Sequence, residues 1–478
     1  PSIVNHQLTL KVITMSEQSN SMDKRPVADP SMAELGIDLV PESQQTKKPV
    51  ELFFVWCAAN IGILGVVYGA LIVAFKLSFF QSVLAAFAGV ASFMLVGISS
   101  IAGKKGRTTT LTLSRSSFGK QGNIAPTIFC WINLMGWEAV NIITGTLTLA
   151  ALFVALGFAE STMTTLIALC LFGGLTVIVS ILGQNAVLVM QKWITWIFGA
   201  MTLFVVLYLL ATADWATIMA MPSGSWLTGF LPAVSIIAAG TGISWAIAGA
   251  DYSRDQHPDS SHRSIFNAVV TGAAVPLILL MLTGILLTAQ IPDLASHANP
   301  IAAIGQLLPT WMAIPYLTAA VAGVVTIEVL SLYSASLNLL SMGVRLKQRH
   351  AVALDAVLVI GVAVYVLFVS GDFLGPFIAF LTFCGVFLAA WAAIFIIDFY
   401  QEHAHKGYSE SELYGDTGVK GAALTCWVIG ALSGLMVSKT GFIDGPFAKG
   451  IFADSSLGLF VSFLTSFVLY LLIKQAKR

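Results

Sequence analysis

Twelve long apolar runs divide the chain, at about 52–75, 81–102, 124–156, 162–182, 193–211, 226–250, 265–290, 317–344, 351–370, 375–397, 422–438 and 456–473. A bilayer core takes roughly 20 apolar residues as helix, so each run predicts one membrane span. The runs near 422 and 456 are short, but each is bounded by polar residues. Residues 1–49 break the pattern. They are polar, Ser-rich and punctuated by Pro26, Pro30, Pro41 and Pro49, which predicts a disordered tail. Met15 opens a polar segment, so no secretory signal is read there. The polar stretch 399–421 separates a ten-span core, 50–398, from a peripheral pair with a short tail, 422–478.

Composition removes most function classes. The chain is 57% hydrophobic and 10% charged, against about 25% charged residues in a soluble domain. Its net charge is zero, so no basic field points to nucleic acid. A soluble enzyme, a disordered chain and a nucleic-acid binder are all excluded. Cys57, Cys130, Cys170, Cys384 and Cys426 fall in apolar runs without a C-x-x-C pair and read as small buried hydrophobes. All 7 histidines lie outside the runs. The loops 103–121 and 399–420 carry neither metal-ligand spacing nor a Ser/His/Asp set, so no catalytic residue, metal or cofactor is assigned and a membrane enzyme is set aside.

Charge sets the topology. With the N-terminus inside, 21 of the 24 lysines and arginines fall on one side, leaving only Lys76, Lys439 and Lys449 on the other. Cytoplasmic loops carry that excess, which predicts a multi-pass protein of the cytoplasmic membrane with both termini in the cytoplasm.

Two acids lie deep in a span, Glu138 in the third and Glu328 in the eighth. An ionisable residue in the membrane interior marks a pathway or site unless it is a neutral, hydrogen-bonded structural acid. Asp251, Asp355 and Asp398 lie near predicted cytoplasmic ends, where water is expected within reach. Trp137 and Asn141 are four residues apart and share a helix face. An indole beside an amide suits a planar heterocycle, or fills a helix–helix contact. Span one carries Gly62, Gly65 and Gly69, and span six carries Gly240 and Gly242. Such glycines permit close packing or an unwound segment facing a cavity, and they sit at equivalent positions if two five-helix halves repeat.

The loop Arg115-Ser116-Ser117-Phe118-Gly119-Lys120-Gln121-Gly122 resembles the R-x-S-F-G-x-x-G signature of the nucleobase–cation symporter-1 family. So do the Gly-Trp-x-x-x-Asn of span three and Ala250-Asp251-Tyr252-Ser253-Arg254 after span six. The resemblance covers about 50–474 and leans to the purine–cytosine permease branch. It implies a leucine-transporter-like core, with spans one to five and six to ten as inverted repeats and two peripheral helices. It places a planar base between Trp137 and Trp245, with Asn141 bonding it. Glu138, Ser244 and Ser331 complete the expected substrate set, and Gly62, Gly65, Gly240 and Gly242 the helix breaks. Two departures matter. Span eight often supplies an Asn where this chain has the stretch Glu328 to Ser334, and sodium-coupled members use two adjacent hydroxyls where Val325-Thr326 offers one. That leaves a co-transported proton as the favoured cation, with Glu328 or Glu138 as carrier and Thr326 as the residual sodium ligand. The expected function is import of cytosine or purines by alternating access between spans one, three, six and eight. The alternatives are a sodium-coupled carrier of uracil, allantoin or hydantoin, or an amino-acid permease of the same architecture.

Overall fold

The computed structural model describes residues 35–182, 184–288, 301, 305, 308–344, 348–370, 373–453 and 455–476, with the backbone alone at 179–182, 184–192, 348–349 and 351–352. The chain divides into two compact units, Pro1–Leu35 and Gly36–Arg478. Only Leu35 of the first is described. The tail before it, expected to be disordered, lies outside the described residues, as do His297, Arg345, Lys347 and the side chains of Lys192 and Arg349.

The second unit is a helical bundle. Among the described residues nine helices are long and apolar enough to cross a membrane. The pair Pro49–Asn60 and Leu64–Ala74, bent by 65°, makes a broken span one. Spans two and three are Phe79–Gly106 and Ile124–Ala155; spans five to ten are Trp193–Thr212, Trp226–Ala248, His262–Thr288, Thr310–Ser341, Ala353–Ser370 and Leu374–Lys406; span twelve is Gly458–Ala476. The predicted runs four and eleven fall on shorter apolar helices, Thr162–Ile178 and Gly421–Met436. Span ten runs past the expected boundary at 398 to Lys406, so the polar loop begins later than composition indicates.

Local chemistry fixes the helix ends. Span two starts on a capping box in which Gln81 N donates to Ser78 Oγ at 3.3 Å and Ser78 N to Gln81 Oε1 at 3.2 Å. Span one starts at Pro49, whose missing N–H costs nothing in a first turn. Spans three and eight pack along each other through the centre, while spans eleven and twelve pack on each other and on span ten. Spans one and seven meet backbone to backbone: a Cβ on Gly284 would lie 1.9 Å from Val66 O, and one on Gly69 2.1 Å from Met281 O. The Gly65-x-x-x-Gly69 pattern is therefore a packing surface. Large apolar side chains such as Trp193, Trp196 and Phe204 of span five remain exposed, as a lipid-facing surface requires.

Three expectations are corrected. Residues 36–49 are laid against the basic-loop end of the bundle rather than loose. Val40 N donates to Arg107 O at 2.8 Å, Lys47 N to Asp255 O at 3.1 Å, and His257 N to Lys47 O at 2.8 Å. Main-chain bonds of this kind are blind to the composition that suggested disorder. Cys170 is exposed. Asp251, Asp355 and Asp398 are all buried. Neighbouring elements cover each one: Thr110 for Asp251, Trp131 for Asp355, and Ser116 and Ser117 for Asp398.

Candidate functional site

The break in span one and the irregular stretch of span six face a common cavity. Span one loses its helix between Asn60 and Leu64, where Ile61 takes φ −92° and ψ 66°. Span six turns from α-helix to a π-turn at Ala239–Ile243 and continues as short 3-10 turns, Ala246–Ala248 and Ala250–Tyr252. Interrupted helices leave backbone groups that need partners. Here Tyr68 OH donates to Gly240 O at 2.9 Å, and Gly242 N donates to Ser92 Oγ at 3.1 Å. Side chains from spans one and two thus hold span six in its unwound form.

The cavity takes in about 430 Å³, counting space open to its surroundings, and is lined by Asn60, Gly62, Gly65, Tyr68, Trp137, Asn141, Gly240, Thr241, Trp245 and Ser331, with Leu277 and Ile327 among its apolar wall. That mixture suits a small, mostly apolar ligand with a few polar contacts. Trp245 is held edge-on by Trp56, with ring centroids 5.6 Å apart. Trp137 is held by Phe377 and Phe380 at 5.8 and 6.1 Å, both edge-on. An indole packed at its edges keeps its face at a fixed angle. Trp137 Nε1, Asn141 Nδ2 and Ser331 Oγ are buried without a hydrogen-bond partner, and buried polar atoms normally have one. They are the cavity's open bonding positions.

Of the residues expected at a site, the structure brings Trp137, Asn141, Trp245, Ser331, Gly62, Gly65 and Gly240 to this cavity. It leaves five off the wall. Ser244 Oγ donates to Asn133 Oδ1 at 3.2 Å and to Ala239 O at 2.6 Å, which turns it toward span three. Gly242 is pressed on span two, since a Cβ there would lie 2.2 Å from Ser92 C. Thr326 Oγ1 donates to Gly323 O at 2.7 Å within its own helix. Glu138 and Glu328 are buried beside the cavity, between spans three and eight; Glu138 interacts electrostatically with Glu328 and Asp355, and Glu328 with the Asn141 amide. Residues i and i+3 diverge by about 60° on a helix, so Ser331 reaches the wall while Glu328 stays behind it. Tyr68, Asn60 and Thr241 were missed. The usable signal was a polar side chain within a turn or two of each break.

A family profile described as permease for cytosine/purines, uracil, thiamine and allantoin matches residues 39–460. A putative purine-cytosine permease of Bacillus subtilis, YxlA, is 28% identical over 461 residues, which is 92% of this chain and 95% of that protein. The purine-cytosine permease fcyB of Emericella nidulans is 25% identical over 279 residues, 58% of this chain and 53% of that one. Among solved structures, Mhp1, a nucleobase-cation-symport-1 family transporter in a closed conformation with bromovinylhydantoin bound, superposes with a TM-score of 0.72 at 17% identity, covering 93% of this chain and 96% of that one. A Na+-coupled sialic acid symporter superposes with a TM-score of 0.62 at 11% identity, over 93% and 95% of the two chains. These likenesses give the leucine-transporter-like fold.

Proposed function

Since the chain belongs to the family of permeases for cytosine/purines, uracil, thiamine and allantoin, a transporter family and not an enzyme one, we propose that it imports cytosine or purine bases into the cytoplasm with a proton. The observation that carries this reading is the meeting of Trp137, Asn141, Trp245 and Ser331 on one cavity at the breaks of spans one and six. Two indoles offer stacking faces to a flat ring, and an amide and a hydroxyl offer bonds to its edge.

The protein alternates access around this midplane site, and the cation gradient supplies the free energy. The basic loops support a cytoplasmic position for the Arg115–Phe118 end and for both termini, in the cell membrane. Proton coupling is favoured over sodium because Val325-Thr326 offers one hydroxyl where two would serve sodium, whereas two buried carboxyls adjoin the cavity. Glu328, next to Asn141, is the carrier in this reading, and no resident cofactor is involved. The test is equilibrium binding of radiolabelled cytosine to the purified protein, challenged with unlabelled purines, uracil, allantoin and hydantoins. Displacement by purines alone supports the reading. Displacement only by hydantoin or allantoin moves the substrate to that class, and no binding of any heterocycle overturns it.

A further inference from the structure

The buried acids differ in how they are satisfied. Asp398 accepts from Ser116, Ser117, Tyr470 and Lys474, as a structural carboxylate should. Asp355, also fully buried, accepts from Trp131 Nε1 at 3.2 Å while its Oδ2 has no partner. Both Glu138 oxygens and one Glu328 oxygen are likewise unpartnered, and so is Asn141 Nδ2 on the cavity wall. An uncompensated carboxylate is expensive inside a membrane protein, and a bound proton removes that cost.

These groups descend in order. Asn141, Glu138 and Trp131 lie at intervals of three and seven residues on span three, close to one face. At about 1.5 Å per residue, Trp131 and the Asp355 bonded to it sit roughly 10 Å below Glu138, toward the end with the basic loops. Glu138 interacts electrostatically with Glu328 on span eight and with Asp355 on span nine. Span three has no Lys, Arg or His, and neither does span eight; the helix of span nine has only Arg349 and His350, at its start. The other titratable groups on the elements packed around the seam are the thiols Cys57, Cys130, Cys170 and Cys384, the phenols of spans five, eight and nine, Glu51 at the foot of span one, Lys192 just before span five, and Asp398, Tyr400, Glu402, His403, His405 and Lys406 at the far end of span ten.

We propose that Asp355 is the release station for the coupling proton, taking it from the Glu328–Glu138 pair along the seam between spans three, eight and nine. The inference rests on the proton-coupled reading above. The Glu138 proton passes to the Asp355 carboxylate along water that enters the seam as the cytoplasmic side opens, and Glu138 is reprotonated from Glu328 in the same way. Asp355 then yields the proton to water when the cytoplasmic side opens. Asp355→Asn keeps the acceptor for Trp131 Nε1 but cannot carry a proton.

The experiment uses the full-length protein in pyranine-loaded proteoliposomes under an imposed pH gradient. Wild type should show cytosine-induced proton entry; its absence overturns the proton reading itself, before any variant is made. In Asp355→Asn, gradient-driven uptake should fall by about tenfold or more, while cytosine binding and counterflow exchange stay within about twofold. Asp355→Glu, which keeps a carboxyl, should retain the rate. If Asp355→Asn accumulates cytosine at the wild-type rate, Asp355 is not on the route. If binding and counterflow are lost together with uptake, or Asp355→Glu is as slow as Asp355→Asn, Asp355 is structural, and the proposal fails although proton coupling in wild type stands.

Discussion

Lys474 Nζ donates to Asp398 Oδ1 at 2.8 Å, tying the last span to the basic-loop end of span ten. The same carboxylate accepts from Ser116 and Ser117 at 3.1 and 3.0 Å, so one buried acid joins the Arg115–Phe118 segment to a peripheral helix. Arg115 completes the clamp, with Nη2 donating to Ser341 O at 2.7 Å and Nη1 to Leu413 O at 3.1 Å. Removing one partner of a buried pair leaves the other uncompensated, at a cost of about 3–5 kcal/mol. Asp398→Ala should therefore lower the melting temperature of the purified protein far more than Lys474→Met, whose ammonium is partly exposed. Equal melting temperatures for both variants would show that the carboxylate is not the hub.

Phe118 is fully buried in this clamp, and its carbonyl accepts from Lys420 N at 2.8 Å. In the proposed alternating-access cycle, opening the basic-loop side requires this packing to loosen and re-form. Phe118→Ala should slow transport more than it weakens equilibrium binding of the base. Unchanged uptake at unchanged expression would reduce the segment to a charged loop that only sets topology.

The two cavity tryptophans carry the binding prediction. Stacking a base on an aromatic is worth about 1–3 kcal/mol, or roughly one to two decades in affinity. Trp137→Ala and Trp245→Ala should each weaken cytosine binding by about tenfold or more, with insertion and folding intact. Normal binding by both variants would place the site elsewhere.

Asp251 lies just beyond span six and accepts from Thr110 N at 2.9 Å and Thr110 Oγ1 at 3.0 Å. Burial nevertheless pushes its carboxyl up to about 6, outweighing the Thr110 bonds and the nearby Arg254 charge. The folded state therefore binds a proton that the unfolded chain, with a pKa near 3.9, has already released. This contribution to stability is complete below the unfolded value and is lost as pH rises through about 6, amounting to about 2–3 kcal/mol. Thermal unfolding between about pH 4 and 7 should show this contribution falling as pH rises, and Asp251→Asn should flatten that part of the profile. An identical slope in the variant would remove Asp251 as its source.

How much of this was legible in the sequence depends on the distance over which each feature is written. The spans, the breaks near Gly62 and Gly240, and the Trp137–Asn141 face are local patterns, readable from helical periodicity. Ser244 and Glu138, expected at the substrate, stand off the cavity wall because sequence gives a residue's depth in the membrane, while rotation about the helix axis depends on neighbours far along the chain. Ser244, for example, is turned away by Asn133, 111 positions distant. Asp398 looked accessible to water because its partners Ser116 and Lys474 lie 282 and 76 positions away. Tyr68 stood in plain view in span one, but its bond to Gly240 O joins the two broken spans and exists only once they meet.

The central claim is that buried carboxyls beside a base-binding cavity couple transport to protons. The most direct measurement is accumulation of radiolabelled cytosine by the reconstituted protein in sodium-free liposomes under an inward proton gradient, comparing wild type with Glu328→Gln. That substitution keeps the shape and hydrogen bonding of the side chain but removes its titration. Wild type should accumulate cytosine, and Glu328→Gln should lose accumulation while sparing counterflow exchange. Accumulation by wild type that requires a sodium gradient and ignores pH, or wild-type accumulation by Glu328→Gln, would contradict the account.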